Sequence, residues 1–400
     1  MRILMISHLY PSKTDDVNGS FVHSQVKALS EQDCTIKVVA PTAFAPFPLH
    51  LIKEKWRRFH LTPKTDNFQG IEVVYPRIVR TPRAALFELS GLNYYHAMKK
   101  YVFSLHQEQS FDLIHAQVAY PDGWAAVKLA KKLNLPLVLT LHGQELQKIV
   151  TWGKRLNNLV QTTLDSAEAV IVASAKMQAL AETHGVSKPR LHLIYNGLDV
   201  LPSAELPEEI MSRIKGKKVL LSVGRLEEEK GIQHNLEALA LIKDKHPNLL
   251  YIIVGTGSYQ VKLQDLARSL GIENRVIFAG HFPREKVQAF YENSDVFSLP
   301  SRDEAFGIVY LEAMAAGLPV IGTEDEGIAP LIKDNQVGRL VKNGDIPALA
   351  AGISELLQSG AGTTGNKGRK LASMFTWEEN ARKTLEVYKS VSSRGGDISD

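Results

Sequence analysis

The chain has 400 residues, 44% apolar and 22% charged, the make-up of a soluble globular protein with enough length for two cores. Its single cysteine, Cys34, excludes an intramolecular disulfide and any multi-cysteine metal site. The formal net charge is +4, no apolar run approaches the ~18 residues that span a bilayer, and no nucleic-acid partner is expected.

The opening MRILMISHLYP has one cation and no small-residue cleavage site after it. It reads as a buried first strand ending at His8 and not as a signal peptide, so a cytoplasmic protein is expected. A loop follows through Asn18-Gly19-Ser20, then the helix FVHSQVKALSEQ. CTIKVVAP, GIEVVYPRI, SFDLIHAQ, LPLVLTLHG, EAVIVASA and RLHLIYNG read as further strands, with helices YPDGWAAVKLAKKLN and one near LNNLVQTTLDSA between them. Short, nearly all-apolar strands alternating with helices predict an α/β fold whose parallel sheet is covered on both faces.

Residues 41–110 interrupt this pattern with ten Lys and Arg against five acids, a local excess of +5 where the rest of the chain sums to −1. Within them, region 46–103 sets basic residues beside aromatic and apolar ones, in PFPLHLIKEKWRRFHL and LNYYHAMKKYVF. That mixture suits an anionic membrane surface or an acidic acceptor. A solvated helix face over an ordinary core would have the same composition.

After Asp199 the segment VLPSAELPEEIMSRIKGK reads as a linker, dividing a first domain, residues 1–198, from a second, residues 199–375. The second repeats the alternation: strand KKVLLSVGRL, helix GIQHNLEALALIKDK, strand NLLYIIVGTG, helix SYQVKLQDLARSLG, strand RVIFAGHF, helix PREKVQAFYENS and strand DVFSLPS. After the strands VIGT and GRLVK come the helix DIPALAAGISELLQ, a predicted loop SGAGTTGNKG, a helix over 376–391 and a tail, 392–400, expected to be disordered.

The candidate chemistry concentrates in PSRDEAFGIVYLEAMAAGLPVIGT, Pro300 to Thr323. Its strand–turn–helix order aims Glu304 from a loop and Glu312 from the second helical turn into one crevice. The first-turn N–H groups near Gly307 and Ile308 favour an anion there, and the carboxylates accept hydrogen bonds from hydroxyls. A nucleotide sugar has both features. Arg225, after the strand LLSVG, and Lys230, opening the next helix, are fixed cations suited to a departing diphosphate. Glu227, Glu228 and Glu229 between them would offset both if the pair were merely solvated. The chain has no Asp-x-Asp pair, which favours a mechanism without metal. Gly255-x-Gly257 lacks the third glycine of a dinucleotide fingerprint, position 260 being Gln260.

SRDEAFGIVYLEAMAAGLPVI closely resembles the signature of the family 4 retaining glycosyltransferases, with Ala305 where many members have a second glycine. GRLEEEKG resembles that family's diphosphate-gripping motif. The resemblance implies the GT-B architecture, two Rossmann-like doubly wound domains facing a cleft, with the last helix, FTWEENARKTLEVYKS, crossing back to the first domain. It implies that Glu304 holds donor-sugar hydroxyls, that the Phe306-Gly307-Ile308 backbone meets sugar and diphosphate, and that Glu312 takes the ribose hydroxyls. Arg225 and Lys230 would neutralise the leaving diphosphate. On the first domain, His115, ending FDLIHA, would orient the donor sugar, and His142, ending LVLTLHG, would be a second cleft histidine. Gly19 would allow close backbone approach of the donor phosphate or acceptor, although many relatives have Gly-Gly where this chain has Asn18-Gly19-Ser20. Asn196-Gly197-x-Asp199 resembles the family's hinge-proximal turn.

The N-terminal HLYPSKTDDVNGSFVHSQVKAL is similar to bacterial exopolysaccharide and teichuronic-acid-type transferases. The activity implied is retaining transfer of a hexose or N-acetylhexosamine from a UDP- or GDP-sugar to a growing surface polysaccharide or lipid-linked precursor. No cofactor beyond the donor and no metal are implied. A lipid-linked acceptor would place the protein peripherally at the inner face of the plasma membrane through region 46–103. The alternatives are a cytosolic transferase with a small soluble acceptor and a non-catalytic sugar-nucleotide-binding protein.

Overall fold

The computed structural model describes residues 1–79, 86–199, 202 and 204–394. The chain forms two compact units, Met1–Gly197 together with Trp377–Asp400, and Leu198–Thr376, so it leaves the first unit once and returns to it. The expected tail lies outside the described residues from 395 onward, as do residues 200, 201 and 203 of the expected linker. The rest of that linker is not irregular throughout, since Glu208–Ile214 is a helix that buries Ile210 and Ile214.

The first unit contains β1 (Arg2–Ile6), β2 (Thr35–Val39), β3 (Thr42–Ala43), β4 (Thr65–Phe68), β5 (Ile71–Val74), β6 (Arg77–Ile78), β7 (Leu113–Gln117), β8 (Leu137–Leu141), β9 (Ala169–Val172) and β10 (Leu191–Leu193). Eight of them form one sheet in the order β10-β9-β8-β7-β1-β2-β5-β4, parallel except where β4 runs against β5. Every residue of β7, β8 and β9 is buried, which is why these strands show no apolar–polar alternation. The last helix, Trp377–Arg394, belongs to this core: Trp377, Ala381, Val387, Tyr388 and Val391 pack with Ile3, Val22, Val26 and Leu29.

Region 46–103 divides into two kinds of helix. Ser90–Glu108 buries Tyr94, Tyr95, Met98 and Val102, so the segment LNYYHAMKKYVF is an ordinary core-facing helix and not the exposed aromatic surface its composition suggested. Leu49–Ile52 and Glu54–Leu61 bury no residue at all.

The second unit has β11 (Lys218–Val223), β12 (Leu249–Val254), β13 (Val276–Gly280), β14 (Val296–Ser298), β15 (Val320–Thr323) and β16 (Gly338–Val341). They make an all-parallel sheet ordered β13-β12-β11-β14-β15-β16. The glycine-rich stretch expected to be a loop is the helix Gly362–Ala372. A Cβ at Gly365 would overlap the carbonyl oxygen of Gly317, so glycine there permits close approach to the end of the helix Ile308–Ala315 and does not break the structure.

Each sheet winds outward from one strand, first to one side and then to the other. The reversal falls between β1 and β7 in the first unit and between β11 and β14 in the second. Open α/β sheets bind ligands outside the carboxyl ends of the strands at such a reversal.

Candidate active site

In the second unit, β11 runs out into Gly224-Arg225 and β14 into the stretch beginning at Pro300, so both motifs lie at the reversal. The two loops travel together. Arg302 N–H donates to the Glu229 carbonyl at 2.8 Å. Gly231 sits at φ 68°, where a Cβ would overlap the carbonyl oxygen of Pro300. This close pass brings Lys230 Nζ to 2.5 Å from Glu304 Oε2, with both side chains mostly shielded from solvent. The acids that could have offset the cations are engaged differently. Glu227 accepts from Ser258 Oγ at 2.6 Å, and Glu228 lies 3.6 Å from Arg302. Arg225 is exposed, and among the described residues none bonds its guanidinium.

Glu312 is held separately. Its Oε2 accepts from the Tyr291 hydroxyl at 2.8 Å and its Oε1 lies 3.6 Å from Arg284 Nη2, while Arg284 Nη1 donates to Asp199 at 2.7 Å. Burial, reinforced by the Glu312 charge, holds the Tyr291 phenol well above its usual range, so it remains a donor. Gly307, at φ 91°, precedes the helix Ile308–Ala315, and Phe306 is buried, so this turn offers backbone and not a ring. Both glutamates are thus oriented by donors while keeping lone pairs for further hydroxyls.

In the first unit the structure corrects one assignment. His115 does not end its strand: β7 continues to Gln117, and His115, paired with Met5 and Val138, is fully buried. Its Nδ1 bonds the Tyr388 hydroxyl at 2.6 Å and its Nε2 the Thr140 hydroxyl at 2.7 Å. Burial, with His142 nearby, pushes its pKa down to about 3. His115 is a satisfied core group with no face left for a sugar. Two positions on, at the end of β7, the fully buried Gln117 meets His142.

His142 follows β8 and is partly buried; burial, with His8 nearby, lowers its pKa to about 4, so it is neutral at physiological pH. Its Nε2 lies 2.8 Å from Gln117 Oε1. From there a chain of amides runs inward. Gln117 Nε2 donates to Gln25 Oε1 at 2.9 Å, Gln25 Nε2 to Asn380 Oδ1 at 2.8 Å, and Asn380 Nδ2 to the Tyr195 carbonyl at 2.7 Å. Glu145, fully buried, accepts from the His142 backbone N–H at 3.0 Å, and burial pushes its carboxyl pKa up. Gly19 (φ 71°) caps the helix Ser20–Ser30, and Asn196 is half-buried beside Tyr195. Among the described residues, no helix is long and apolar enough to cross a membrane, and no three His, Cys, Asp or Glu side chains gather as a metal site would require.

Residues 19–200 match the model of Glycosyltransferase Family 4, and residues 208–383 match that of Glycosyl transferases group 1. The chain belongs to the family 4 glycosyltransferases. A Bacillus subtilis (strain 168) glycosyltransferase named for teichuronic acid biosynthesis, TuaC, is 29% identical over 360 residues, 88% of each chain. The fold is GT-B: sucrose-phosphate synthase from Thermosynechococcus elongatus matches with a TM-score of 0.80 at 22% identity, over 98% of this chain and 100% of that one. The Anabaena protein HepE, solved in complex with UDP, matches with a TM-score of 0.74 at 21% identity over the same shares.

Motif reading of this glycosyltransferase missed Arg284 and Tyr291, which hold Glu312. They lie seven residues apart on the helix Arg284–Glu292, two turns on one face, in a stretch with no signature of its own. It also missed Gln25, Gln117 and Asn380. The available signal was an amide at a position the apolar pattern marks as buried.

Proposed function

We propose that this glycosyltransferase moves a hexose or N-acetylhexosamine, with retention, from a UDP- or GDP-sugar to a growing cell-surface polysaccharide or its lipid-linked precursor, at the cytoplasmic face of the membrane. The carrying observation is the Lys230–Glu304 pair at the reversal of the second sheet, 2.5 Å apart. Without donor, each is the other's counterion. A bound diphosphate competes for Lys230, and Glu304 is then free to accept hydroxyls of the sugar.

In this reading Arg225 and Lys230 stabilise the charge that grows on the departing diphosphate, without metal or other cofactor. Glu312, steadied by Tyr291 and Arg284, takes the ribose hydroxyls. The backbone of Phe306, Gly307 and Ile308 approaches sugar and phosphate. On the acceptor side stand Gly19, His142 and Asn196, while His115 has no direct role. The UDP bound by HepE and the teichuronic acid pathway in TuaC's name favour a uridine nucleotide and an envelope polymer. The membrane side of the proposal rests on the helices Leu49–Ile52 and Glu54–Leu61. There Lys53, Lys55, Arg57 and Arg58 stand exposed beside Phe47, Leu51 and Ile52, which are 80%, 68% and 70% exposed.

A thermal-shift screen of UDP-, GDP-, ADP- and dTDP-sugars identifies the donor, since a ligand at a hundred times its Kd adds about 2.7 kcal/mol to native stability. Turnover of the selected donor should survive EDTA and give product of unchanged anomeric configuration by NMR. Unchanged turnover in Glu304→Ala and Arg225→Ala would remove the assigned site.

A further inference from the structure

In the second unit two carboxylates share one guanidinium, and the sharing is unequal. Asp199 lies where the chain enters this unit, and the residue before it is pinned: Leu198 N–H donates to the Phe375 carbonyl at 2.8 Å. Arg284 opens the helix Arg284–Glu292 and reaches both acids. Its Nη1 donates to Asp199 Oδ2 at 2.7 Å, while its Nη2 stops 3.6 Å from Glu312 Oε1. The first contact is a charge-assisted hydrogen bond and the second is too long to be one. All three side chains are mostly shielded from solvent. Burial disfavours the guanidinium charge, but Asp199 and then Glu312 outweigh it and raise the Arg284 pKa. Glu312 takes its own hydrogen bond from Tyr291, at Oε2, so among the described residues Oε1 faces a cation without bonding it. A guanidinium with a single carboxylate closes on it through two parallel N–H···O bonds. Here the fork is split between two acids, and Oε1 keeps its lone pairs.

We propose that Asp199 is a positioning residue for the nucleotide: by drawing Arg284 to itself it keeps Glu312 Oε1 open to a ribose hydroxyl, and so makes the site select ribonucleotides. The idea rests on the ribose role of Glu312 proposed above. Without Asp199, Arg284 has one anionic partner left and closes on Glu312 with both Nη atoms. A ribose hydroxyl must then displace a charged pair to reach the carboxylate. Arg225 and Lys230, which hold the diphosphate, are untouched by that change. The loss therefore falls on the ribose hydroxyls alone, and a nucleotide lacking them loses nothing.

The experiment measures Kd for UDP and for 2′,3′-dideoxy-UDP by calorimetry, with the GDP pair in their place if UDP does not bind. The parent chain should prefer the ribonucleotide by about tenfold or more, the worth of a hydrogen bond to a charged group. In Glu312→Ala that preference should shrink to within about threefold of none. Asp199→Ala should shrink it equally, by weakening UDP and leaving the dideoxy analogue within about threefold of the parent. Adding Arg284→Ala to Asp199→Ala removes the competing cation, and the preference should return to within about threefold of the parent's. A second substitution that repairs the first is not what a merely structural contact gives. The preference is a ratio within one folded variant, so general loss of stability does not move it. Asp199→Asn, which keeps the size but not the charge, carries the test if Asp199→Ala unfolds, and should lose part of the preference. A preference lost in Glu312→Ala but intact in Asp199→Ala and Asp199→Asn would overturn the role of Asp199 and leave the ribose reading standing. So would a double variant as indifferent as Asp199→Ala. A preference that survives Glu312→Ala, or a parent chain without one, would overturn the ribose reading itself.

Discussion

The two units place their candidate residues at the same point of the same kind of sheet, yet with opposite chemistry. In the second unit the residues are charged and already paired, Lys230 with Glu304 and Arg284 with Glu312 and Asp199. In the first they are one partly buried neutral imidazole and three buried amides joined in a line. The contrast follows from the ligands proposed for each. A diphosphate is served by cations that exchange one anionic partner for another. An uncharged polyol is served by groups whose donors and acceptors are set in advance by burial.

Removing a cation should therefore damage turnover more than folding. Lys230→Ala is expected to lower kcat by about 10²–10³, or about 3–4 kcal/mol of lost electrostatic stabilisation, with a melting temperature close to the parent's. A collapse of stability equal to the loss of rate would show the pair to be structural.

The first unit should in turn be the acid-sensitive one. His115 and His142 have folded pKa values pushed down to about 3 and about 4, below an unfolded value of about 6.5. The unfolded chain thus binds more protons over that interval, and stability is full above pH ~6.5 and falls as pH drops through it. At pH 5 the loss is about 2 kcal/mol for each histidine. Melts at pH 7 and pH 5 measure it, and His142→Gln should flatten the difference. A melt that is level across this range would contradict the buried neutral state.

Asn380→Ala interrupts the amide line and strands Gln25 Nε2, an expected loss of about 1–3 kcal/mol in urea unfolding. The smallest effect concerns the exposed helices. Replacing any one of Lys53, Lys55, Arg57 and Arg58 with Gln should weaken sedimentation with anionic vesicles by about fivefold, near 1 kcal/mol per cation at low salt. Indifference to all four changes would assign the protein a soluble saccharide acceptor.

Much of this was legible in the sequence, for identifiable reasons. The strands of both sheets announced themselves because burial on both faces leaves continuous apolar runs, as in LLYIIV and LVLTL. The motifs around Arg225 and Glu304 were legible because they are local. His115 was misplaced because a strand's apolar run can end before the strand does: Gln117 is polar, yet it is still in β7 and fully buried. The helix Gly362–Ala372 looked like a loop because glycine serves packing as readily as turning. The pairing of Lys230 with Glu304, like the meeting of residues 25, 117, 142 and 380, depends on contacts between distant segments that no local pattern encodes.

The amide line has a direction. The Tyr195 carbonyl has no hydrogen to give, so Asn380 must turn its NH2 toward it and offer oxygen to Gln25. Gln25 then has the same choice made for it, and so has Gln117. His142 at the far end therefore meets an oxygen and must keep its hydrogen on Nε2. One peptide carbonyl, 53 positions along the chain, thereby decides which nitrogen of the imidazole is bare. No single member can turn over alone without setting two hydrogens or two lone pairs face to face. The tautomer is as firmly written into the molecule as a covalent bond would make it, although every link is individually weak.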